Sequence, residues 1–473
     1  MLSLAAAAAR LNAAGVNAAH CGADVVFTGV GNDSRRIEAG MLYVAIVGER
    51  CDGHAFVDAA LQRGAAAALV SRGWLATQDY PTPPPLLVVD DCRLALAQLA
   101  ASWRADFSLP LIGVTGSNGK TTVKEMCAAI LAARYDATAV LATAGNYNND
   151  IGLPLTLLRL RRQHKAAVIE MGMNHAGEID VLTRLARPTA ALINNAQRAH
   201  LAGLGSLAAV ARAKGEILAG LDADGVAVLN ADDPHYPLWR RLAGERRVIS
   251  FALDAAEADI RARWRPLDDG GELTLLDGDE AHSIHLKAPG AHNARNAVAA
   301  AAACSAVGAP LATAAHALAA WDGVNGRLQR RPGINGAVVI DDSYNANPDS
   351  MRAAIDVLAA LPGLRILVIG DMAEVGEAAA QMHEEIGGYA KSQGVDQLLA
   401  TGDKSIAAVR NFSDGARHFA SPAKLATALR SMLTPQCVVL VKGSRFMRME
   451  QVVAAITPAA ATSAPLAETP HAA

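Results

Sequence analysis

The sequence lacks the features that mark several classes of protein. Its six cysteines, at positions 21, 51, 92, 127, 304 and 437, form no CxxC pair and no cluster with histidines. Neither a disulfide framework nor a structural zinc site is therefore predicted, and a reducing cytoplasm fits. The formal net charge of −3 provides no general basic surface, so no nucleic-acid partner is expected.

Long apolar runs are also missing. The N-terminus, Met1 to Leu4 followed by alanines, has no positive charge ahead of its apolar part and soon reaches Arg10, which is typical of a helix rather than a signal peptide. The longest other apolar stretch, Ala297 to Val307, is too short to span a bilayer. We therefore expect no membrane insertion.

The length of 473 residues exceeds one ordinary core and predicts several domains. The proline cluster Pro81 to Pro85 indicates a first boundary. Beyond it, continuous apolar runs separated by helical stretches predict parallel sheets buried on both faces. These runs are Leu111–Val114, Ala166–Ile169, Ala190–Ile193 and Val226–Leu229, then, after a second change near Gly326, Ala337–Ile340, Arg365–Ile369, Gln397–Leu399 and Val438–Val441. The prediction is an α/β protein with domains at 1–86, 87–326 and 327–456, and a disordered tail at 457–473.

A glycine-rich segment, Gly113 to Thr122, carries the strongest functional signal. It follows an apolar run, Leu109–Ile112, and opens onto the helical stretch Val123–Ala133. In that order, a strand, a turn and a helix N-terminus make a phosphate cradle, to which a lysine adds positive charge and a hydroxyl adds a ligand for Mg²⁺. An ordinary glycine-rich turn is the alternative. The predicted ATP-binding residues here are Thr115, Gly116, Ser117, Asn118, Gly119, Lys120, Thr121 and Thr122.

The spacing within this segment is unusual for a general phosphate loop. Gly113 leaves five residues before Gly119 rather than four, and Val114 stands where a glycine is usual. The shorter core Thr115–Thr122 resembles that of the Mur ligase superfamily, the ATP-dependent amide ligases of peptidoglycan synthesis. This resemblance implies a three-domain fold, in which a P-loop-type parallel-sheet ATPase domain lies between a small N-terminal α/β uridine-nucleotide domain and a C-terminal Rossmann-like α/β domain.

Three further residues follow predicted strands or lie early in a helix. Taken singly, Glu170 could be a helix N-terminal acid, His200 a hydrogen-bonded loop residue and Lys214 a solvated lysine. The stretch from His200 to Lys214, with a glycine-rich turn and a helix between them, is similar to the family pattern. The resemblance implies that CO₂ carbamylates Lys214, a reaction that a desolvated and therefore neutral amine favours.

The resemblance implies two Mg²⁺ ions. Thr121 and Glu170 would serve the ion at the nucleotide phosphates, while Glu170, His200 and carbamylated Lys214 would organise the second. The predicted catalytic set is Lys120, Glu170, His200, Lys214 and Arg327, the last of these at the γ-phosphate. The metal ions would offset the repulsion between a carboxylate and the anionic γ-phosphate.

Further segments are similar to the branch of the family that uses a dipeptide acceptor, although turn formation and helix capping also explain such asparagines. The implied roles are adenine binding for Asn293 and Asn296, ribose binding for Asp342, contact with the acceptor dipeptide for Asn345 and Asn347, contact with the muramoyl group for Asn146 and Asn149, and contact with UDP for Ser34 and Arg35. The segments Met173 and Asn195–Arg198 depart from the commoner family pattern.

The activity implied by this branch is ligation of D-alanyl-D-alanine to UDP-N-acetylmuramoyl-tripeptide, by a monomer that uses small-molecule substrates only. The preceding ligase of the pathway is a rival, but its Asp-Asn-Pro-Arg motif is absent. Folylpolyglutamate synthetase usually has Gly-Ser after the loop lysine, where this chain has Thr121-Thr122. A nucleotide-sensing module without turnover is a third alternative. Whether the tripeptide ends in meso-diaminopimelate or lysine stays open.

Overall fold

The structure is a computed structural model that describes residues 1–49 and 51–458. This part of the chain contains three large sheets of five, nine and six strands, in chain order, and a small two-stranded ribbon. The predicted three-domain α/β fold is confirmed. Most of the predicted tail, from residue 459 onward, lies outside the described residues.

The N-terminal sheet is mostly parallel. The strands of this region are β1 (Leu2–Ser3), β2 (Ala19–Cys21), β3 (Val26–Phe27), β4 (Gly29–Gly31), β5 (Met41–Val44), β6 (Ala67–Ser71) and β7 (Leu86–Val89), and the helices are α1 (Leu4–Ala13), α2 (Val57–Gln62) and α3 (Arg72–Leu75). The sheet order is β2–β7–β6–β5–β4, with only β2 antiparallel to its neighbour, and β1 pairs with β3 in the ribbon. The predicted boundary after residue 86 falls at the first residue of β7, and the exact domain limits stay predictions.

The central sheet begins after α4 (Cys92–Arg104). Its strands are β8 (Leu111–Thr115), β9 (Val140–Ala142), β10 (Ala166–Glu170), β11 (Ala190–Ile193), β12 (Val226–Asn230), β13 (Arg247–Ala252), β14 (Ile260–Leu267), β15 (Gly270–Asp277) and β16 (Glu280–Leu286). The helices are α5 (Lys120–Tyr135), α6 (Gly152–Leu157), α7 (Glu178–Ala186), α8 (Leu201–Leu204), α9 (Leu207–Gly215), α10 (Tyr236–Ala243), α11 (Ala291–Ala306) and α12 (Leu311–Ala320).

The four predicted central strands are present as β8, β10, β11 and β12, and every residue in them is buried. The sheet order is β16–β15–β14–β13–β12–β11–β8–β10–β9. It is parallel from β9 to β14, but β15 and β16 are antiparallel. The strands β15 and β16 were not predicted, because they mix polar and apolar residues and contain no continuous apolar run.

The apolar stretch Ala297–Val307 lies mostly in α11, which is buried along most of its length. The Cys127 thiol of α5 contacts the carbonyl oxygen of Ala300 at 3.8 Å, since alanine side chains let the two helices approach closely. Within the residues described, no helix combines the length and apolar character that crossing a membrane requires.

The third sheet follows the predicted runs closely. Its strands are β17 (Gln329–Pro332), β18 (Val338–Asp342), β19 (Leu364–Ile369), β20 (Gln397–Thr401), β21 (Ala416–Phe419) and β22 (Cys437–Lys442), and its helices are α13 (Pro348–Ala359), α14 (Ala379–Ser392), α15 (Ile406–Phe412), α16 (Pro422–Met432) and α17 (Glu450–Ile456). The order is β17–β18–β22–β19–β20–β21, with only β17 antiparallel. Polar residues that end β18 and β22 face those that follow β8, β10 and β11 of the central sheet, and a cavity lies between them.

Candidate active site

The glycine-rich segment forms a compact loop between β8 and α5. Gly119 is the N-cap of α5 and has a left-handed backbone with φ of 79°. A β-carbon at this position would lie 2.3 Å from Oδ1 of Asn296, so only glycine fits. The helix begins at Lys120, three residues earlier than predicted. The N–H groups of a first helical turn have no intrahelical acceptor, so they are available to an anion at the loop.

Lys120 is held by its own loop. Its ammonium donates to the carbonyl oxygens of Gly116 at 2.7 Å and Ser117 at 3.2 Å. Burial lowers its pKa, and the Glu170 carboxylate opposes that shift. The lysine is therefore ordered where the loop would receive a phosphate.

The remaining polar side chains of the loop differ in role. The Thr115 hydroxyl at the end of β8 is fully buried and donates to the carbonyl oxygen of Met171, the residue after β10, at 2.9 Å. This hydrogen bond joins the ends of the two strands. Ser117 exchanges hydrogen bonds with the backbone of Gln197. Thr121 accepts a weak hydrogen bond from Arg327 at 3.4 Å, whereas Thr122 is buried beside a second pocket.

That second pocket has a volume of about 310 Å³ and lies on the other side of the loop. Asn293 and Asn296 both line it and both are 5% exposed. The Asn194 amide donates to Oδ1 of Asn296 at 2.9 Å and to the carbonyl oxygen of Asn118 at 3.0 Å. A chain of amides thus connects this pocket with the phosphate loop, and amides can both donate to and accept from a nucleobase.

Glu170 ends β10 and is 2% exposed. Its Oε1 accepts a hydrogen bond of 2.7 Å from Asn148, whereas its Oε2 is buried without a hydrogen-bond partner. Asn148 belongs to the predicted asparagine-rich segment but was not among the predicted site residues. A buried carboxylate oxygen without a partner is costly, so this geometry favours a bound cation.

His200 stands at the N-cap of α8 with a left-handed backbone, φ 56°. Its Nδ1 lies 2.8 Å from Oε2 of Glu374, although the two groups are not aligned as a hydrogen bond. Burial lowers the pKa of His200, and the proximity of His200 lowers the pKa of Glu374. A neutral imidazole, which can act as a ligand, is therefore favoured.

Lys214 lies in the last turn of α9 and is 0% exposed. Its Nζ has no hydrogen-bond partner. Burial lowers its pKa well below the ordinary value, and the nearby Lys120 charge lowers it further. The solvated-lysine alternative is excluded by this burial, and an uncharged amine is what reaction with CO₂ needs.

The third domain contributes a cationic wall. The Arg327 guanidinium lies 4.1 Å from the ring centroid of Tyr344. Asp342 accepts from Lys442 at 2.6 Å and from the Leu328 backbone at 3.2 Å. Burial raises the pKa of Asp342 and lowers that of Lys442, because neither charge is solvated. Asp342 is therefore already paired, and it lines the smaller pocket.

The predicted substrate residues fall into two groups. Asn146, Asn149, Asn345 and Asn347 all line a cleft of about 1380 Å³ that also contains Lys120, Glu170 and His200. Ser34 and Arg35 line neither this cleft nor the smaller pocket. Arg35 pairs instead with Asp33, at 2.9 Å and 3.0 Å.

The side chains around the phosphate loop include donors that could bind a metal ion. In the described part of the chain, no three or more His, Cys, Asp and Glu side chains are grouped as a ready-made metal site. The site instead offers the orphaned oxygen of Glu170, the hydroxyl of Thr121 and the ring of His200, with Lys214 becoming an oxygen donor only if carbamylated. Oxygen-rich donors of this kind fit Mg²⁺.

Comparison with known proteins decides the family. The Mur ligase middle domain matches residues 114–304, the Mur ligase glutamate ligase domain matches 326–445, and the Mur ligase family catalytic domain matches 26–104. UDP-N-acetylmuramoyl-tripeptide–D-alanyl-D-alanine ligase of Escherichia coli K12 is 44% identical over 438 residues, which are 92% of this chain and 95% of that protein. The chain belongs to the Mur ligase family.

Two solved Mur ligases have the same fold. MurF from Acinetobacter baumannii matches with a TM-score of 0.83 and 35% identity, over 90% of this chain and 92% of that one. MurF from Thermotoga maritima, solved in complex with ADP, matches with a TM-score of 0.78 and 27% identity, over 90% of this chain and 96% of that one. The family resemblance found in the sequence is confirmed.

Several residues of this Mur ligase site were missed by sequence reasoning. They are Asn148, Asn194, His292, Tyr344 and Glu374, and each contacts or lines the same site. Asn148 lies between the predicted residues Asn146 and Asn149, and Tyr344 lies between Asp342 and Asn345. That proximity was the available signal. Glu374 lies in a segment, Gly370 to Gly376, that is of family type but that turn structure explains equally well. Its contact with His200 depends on how two domains meet.

Proposed function

We propose that this chain joins D-alanyl-D-alanine to UDP-N-acetylmuramoyl-tripeptide and converts ATP to ADP and phosphate in the reaction. The observation that carries the proposal is the opening of the phosphate loop, Glu170 and His200 into one cleft, close to the buried Lys214. The names of its relatives support the acceptor and the tripeptide, and the ADP complex of a relative supports the nucleotide.

The proposed chemistry starts with activation of the terminal carboxylate of the tripeptide, which is otherwise a poor electrophile. Transfer of the γ-phosphoryl group would give an acyl phosphate, and the dipeptide amine would then displace phosphate. Lys120 would orient the phosphates, and Arg327 would approach the γ-phosphate from the third domain. Both side chains are positively charged and would stabilise the negative charge that develops in the transition state. Such electrostatic stabilisation dominates phosphoryl transfer.

Two Mg²⁺ ions are proposed to offset the repulsion between the carboxylate and the phosphates. Thr121 and Glu170 would hold the ion at the phosphates. Glu170, His200 and carbamylated Lys214 would hold the other. The carbamate is supported by the amine of Lys214, which is buried and has no hydrogen-bond partner.

Each part of the substrates and of ATP is assigned to residues of one of the three domains. We assign UDP binding to residues 1–86 through Ser34 and Arg35. The present ion pair of Arg35 with Asp33 would have to open. Asn146 and Asn149 are proposed to contact the muramoyl group. Asn293 and Asn296 are proposed for adenine, with Asp342 for the ribose, and a monomer in the cytoplasm is the proposed working form.

The deciding experiment is an ADP-release assay with wild-type protein and a panel of acceptors. UDP-N-acetylmuramoyl-tripeptides ending in meso-diaminopimelate and in lysine would be tested with D-Ala-D-Ala, and UDP-N-acetylmuramoyl-dipeptide with single amino acids. ADP release only with a tripeptide plus D-Ala-D-Ala is expected. Release with the dipeptide acceptor would favour the preceding ligase, and no release with any pair would favour a nucleotide-binding module.

A further inference from the structure

The loop after β11 carries an arginine whose side chain crosses to the third domain. Nε and Nη2 of Arg198 donate to Oδ1 of Asp349 at 2.9 Å and 2.7 Å, and its backbone N–H donates to Oδ2 at 2.7 Å. Nη1 and Nη2 also donate to the Glu385 carboxylate at 2.8 Å and 3.1 Å. We call these three residues the Arg198 clamp.

The clamp holds two helices of the third domain at once. Asp349 lies in the first turn of α13, whereas Glu385 lies in α14. Glu385 is also held from its own domain by Arg352 at 3.0 Å, and Arg352 lies 3.9 Å from the ring centroid of Tyr389. The carboxylate that receives Arg198 is therefore oriented before the domains meet.

The first turn of α13 has a second link to the central domain. Asn347 caps the helix, and its Nδ2 donates to Oδ1 of Asn118 in the phosphate loop at 2.7 Å. The Asn118 amide returns a hydrogen bond of 3.2 Å to Oδ1 of Asn347. Two residues further on, Asp349 is fixed by Arg198, so both contacts determine where α13 begins relative to the phosphate loop.

The position of α13 relative to the phosphate loop also determines the shape of the smaller pocket. Asn118 and Asn296 line it from the central domain, while Asp349 and Ser350 line it from α13. Separation of α13 from the phosphate loop would open one wall. The pocket geometry therefore depends on an interdomain contact and not on the central domain alone.

Exposed ion pairs usually contribute little to stability. The Arg198 clamp is not such an exposed pair, because the side chains of Arg198, Asp349 and Glu385 are only 29%, 23% and 33% exposed. The guanidinium fork also meets two carboxylates with short, charge-assisted bonds, and a lysine cannot reproduce that geometry.

We propose that Arg198 is a positioning residue that couples domain closure to nucleotide binding, by clamping the first turn of α13 against the phosphate loop. The proposal rests on the ATP use proposed above. It assigns a role to Arg198, which was not among the predicted site residues.

The test compares Arg198→Ala with Arg352→Ala as a matched control. Each variant removes one arginine from Glu385, but only the first removes an interdomain contact. Calorimetry with ADP would give the dissociation constant, and small-angle scattering of the ADP-saturated protein would give the radius of gyration. Loss of charged hydrogen bonds predicts at least about tenfold weaker ADP binding for Arg198→Ala, with a larger radius, and a change within about twofold for Arg352→Ala.

Steady-state kinetics supply a second readout. Arg198→Ala is expected to raise the KM for ATP more than it lowers kcat, and Arg198→Lys should recover only part of the loss. In a double-mutant cycle, Glu385→Gln should add little to Arg198→Ala. Glu385→Gln alone is also expected to weaken ADP binding. It replaces Arg198→Ala as the test of the clamp if Arg198→Ala fails to fold.

Equal ADP affinity in wild type and Arg198→Ala, or fully additive effects in the cycle, would overturn the proposal. The ADP measurements need no acceptor substrate. A failure of ligation with D-Ala-D-Ala would thus refute the proposed acceptor while the clamp is still tested, whereas absence of ADP binding to the wild type would overturn both.

Discussion

The burial of Lys214 makes substitution at this position unusually informative. The ammonium would have no hydrogen-bond acceptor and lies near the Lys120 charge, so the folded protein favours the neutral amine. Arginine is a permanent cation with five donors. Enclosing it here would bury a charge that has no hydrogen-bonded partner, at a cost of about 3–5 kcal/mol, with overpacking added.

Methionine is the matched control at Lys214. It is similar in length and carries no charge, so the stability change should stay below about 1.5 kcal/mol. The two variants are therefore expected to separate in stability while both lose ligation, because neither can react with CO₂. Lys214→Ala should also lose activity, and a short carboxylate in solution should restore part of it by occupying the vacated space.

Local hydrogen exchange is the assay suited to this region, because a three-domain chain need not unfold in one step. Helix α9 would be followed by mass spectrometry, with ligase activity measured in parallel. Trp239, which donates to the carbonyl oxygen of Ala211 in α9 at 2.8 Å, provides a nearby fluorescence probe. ¹³C-bicarbonate should give a carbamate NMR signal in wild type that Lys214→Met lacks.

The result that would refute this reasoning is a Lys214→Arg protein with near-normal activity and unchanged exchange in α9. Such a protein would mean that a cation is acceptable at this position. An absent carbamate signal in an active wild type would reject the modification alone and leave the burial argument intact.

Four further substitutions test neighbouring parts of the site. Lys120→Ala should abolish ligation while the thermal unfolding curve stays close to that of wild type, and turnover near the wild-type rate would reject the phosphate-loop assignment. Gly119→Ala should weaken ATP binding strongly, since its β-carbon would lie 2.3 Å from Oδ1 of Asn296 and the left-handed backbone adds about 1–2 kcal/mol; an unchanged KM for ATP would show that the loop adapts. Asn345→Ala should raise the KM for D-Ala-D-Ala more than that for ATP, whereas Asn347→Ala should affect both because Asn347 also contacts Asn118; identical kinetic profiles for the two variants would contradict this division.

The sequence predicted the parts of the molecule that depend on local order. Buried parallel strands such as β8 and β10 carry continuous apolar runs, and the phosphate loop carries its own glycine spacing. The strands β14 to β16 were not predicted, because half-exposed antiparallel strands mix polar and apolar residues. Their alternation with period two was a usable signal.

The site was harder to predict where it depends on tertiary contacts. Asn148 rather than Asn146 or Asn149 contacts Glu170, and sequence spacing cannot distinguish three asparagines of one turn. The contacts of Arg198 with Asp349 and of His200 with Glu374 join segments more than 150 residues apart. Only the relative placement of two domains brings those groups together.

The hydrogen bonds of Lys120 to its own loop affect selectivity among anions. Immobilising a lysine side chain costs about 2 kcal/mol of rotamer entropy, and here that cost is met during folding rather than on binding. Two of the three N–H donors of the ammonium are already bound to the carbonyl oxygens of Gly116 and Ser117, so an incoming anion finds one donor free. A monovalent ion that offers one weak contact gains little from that single donor, whereas a polyphosphate gains from the whole cradle. The loop should consequently stay free of chloride at cellular salt concentrations and remain available to a nucleotide.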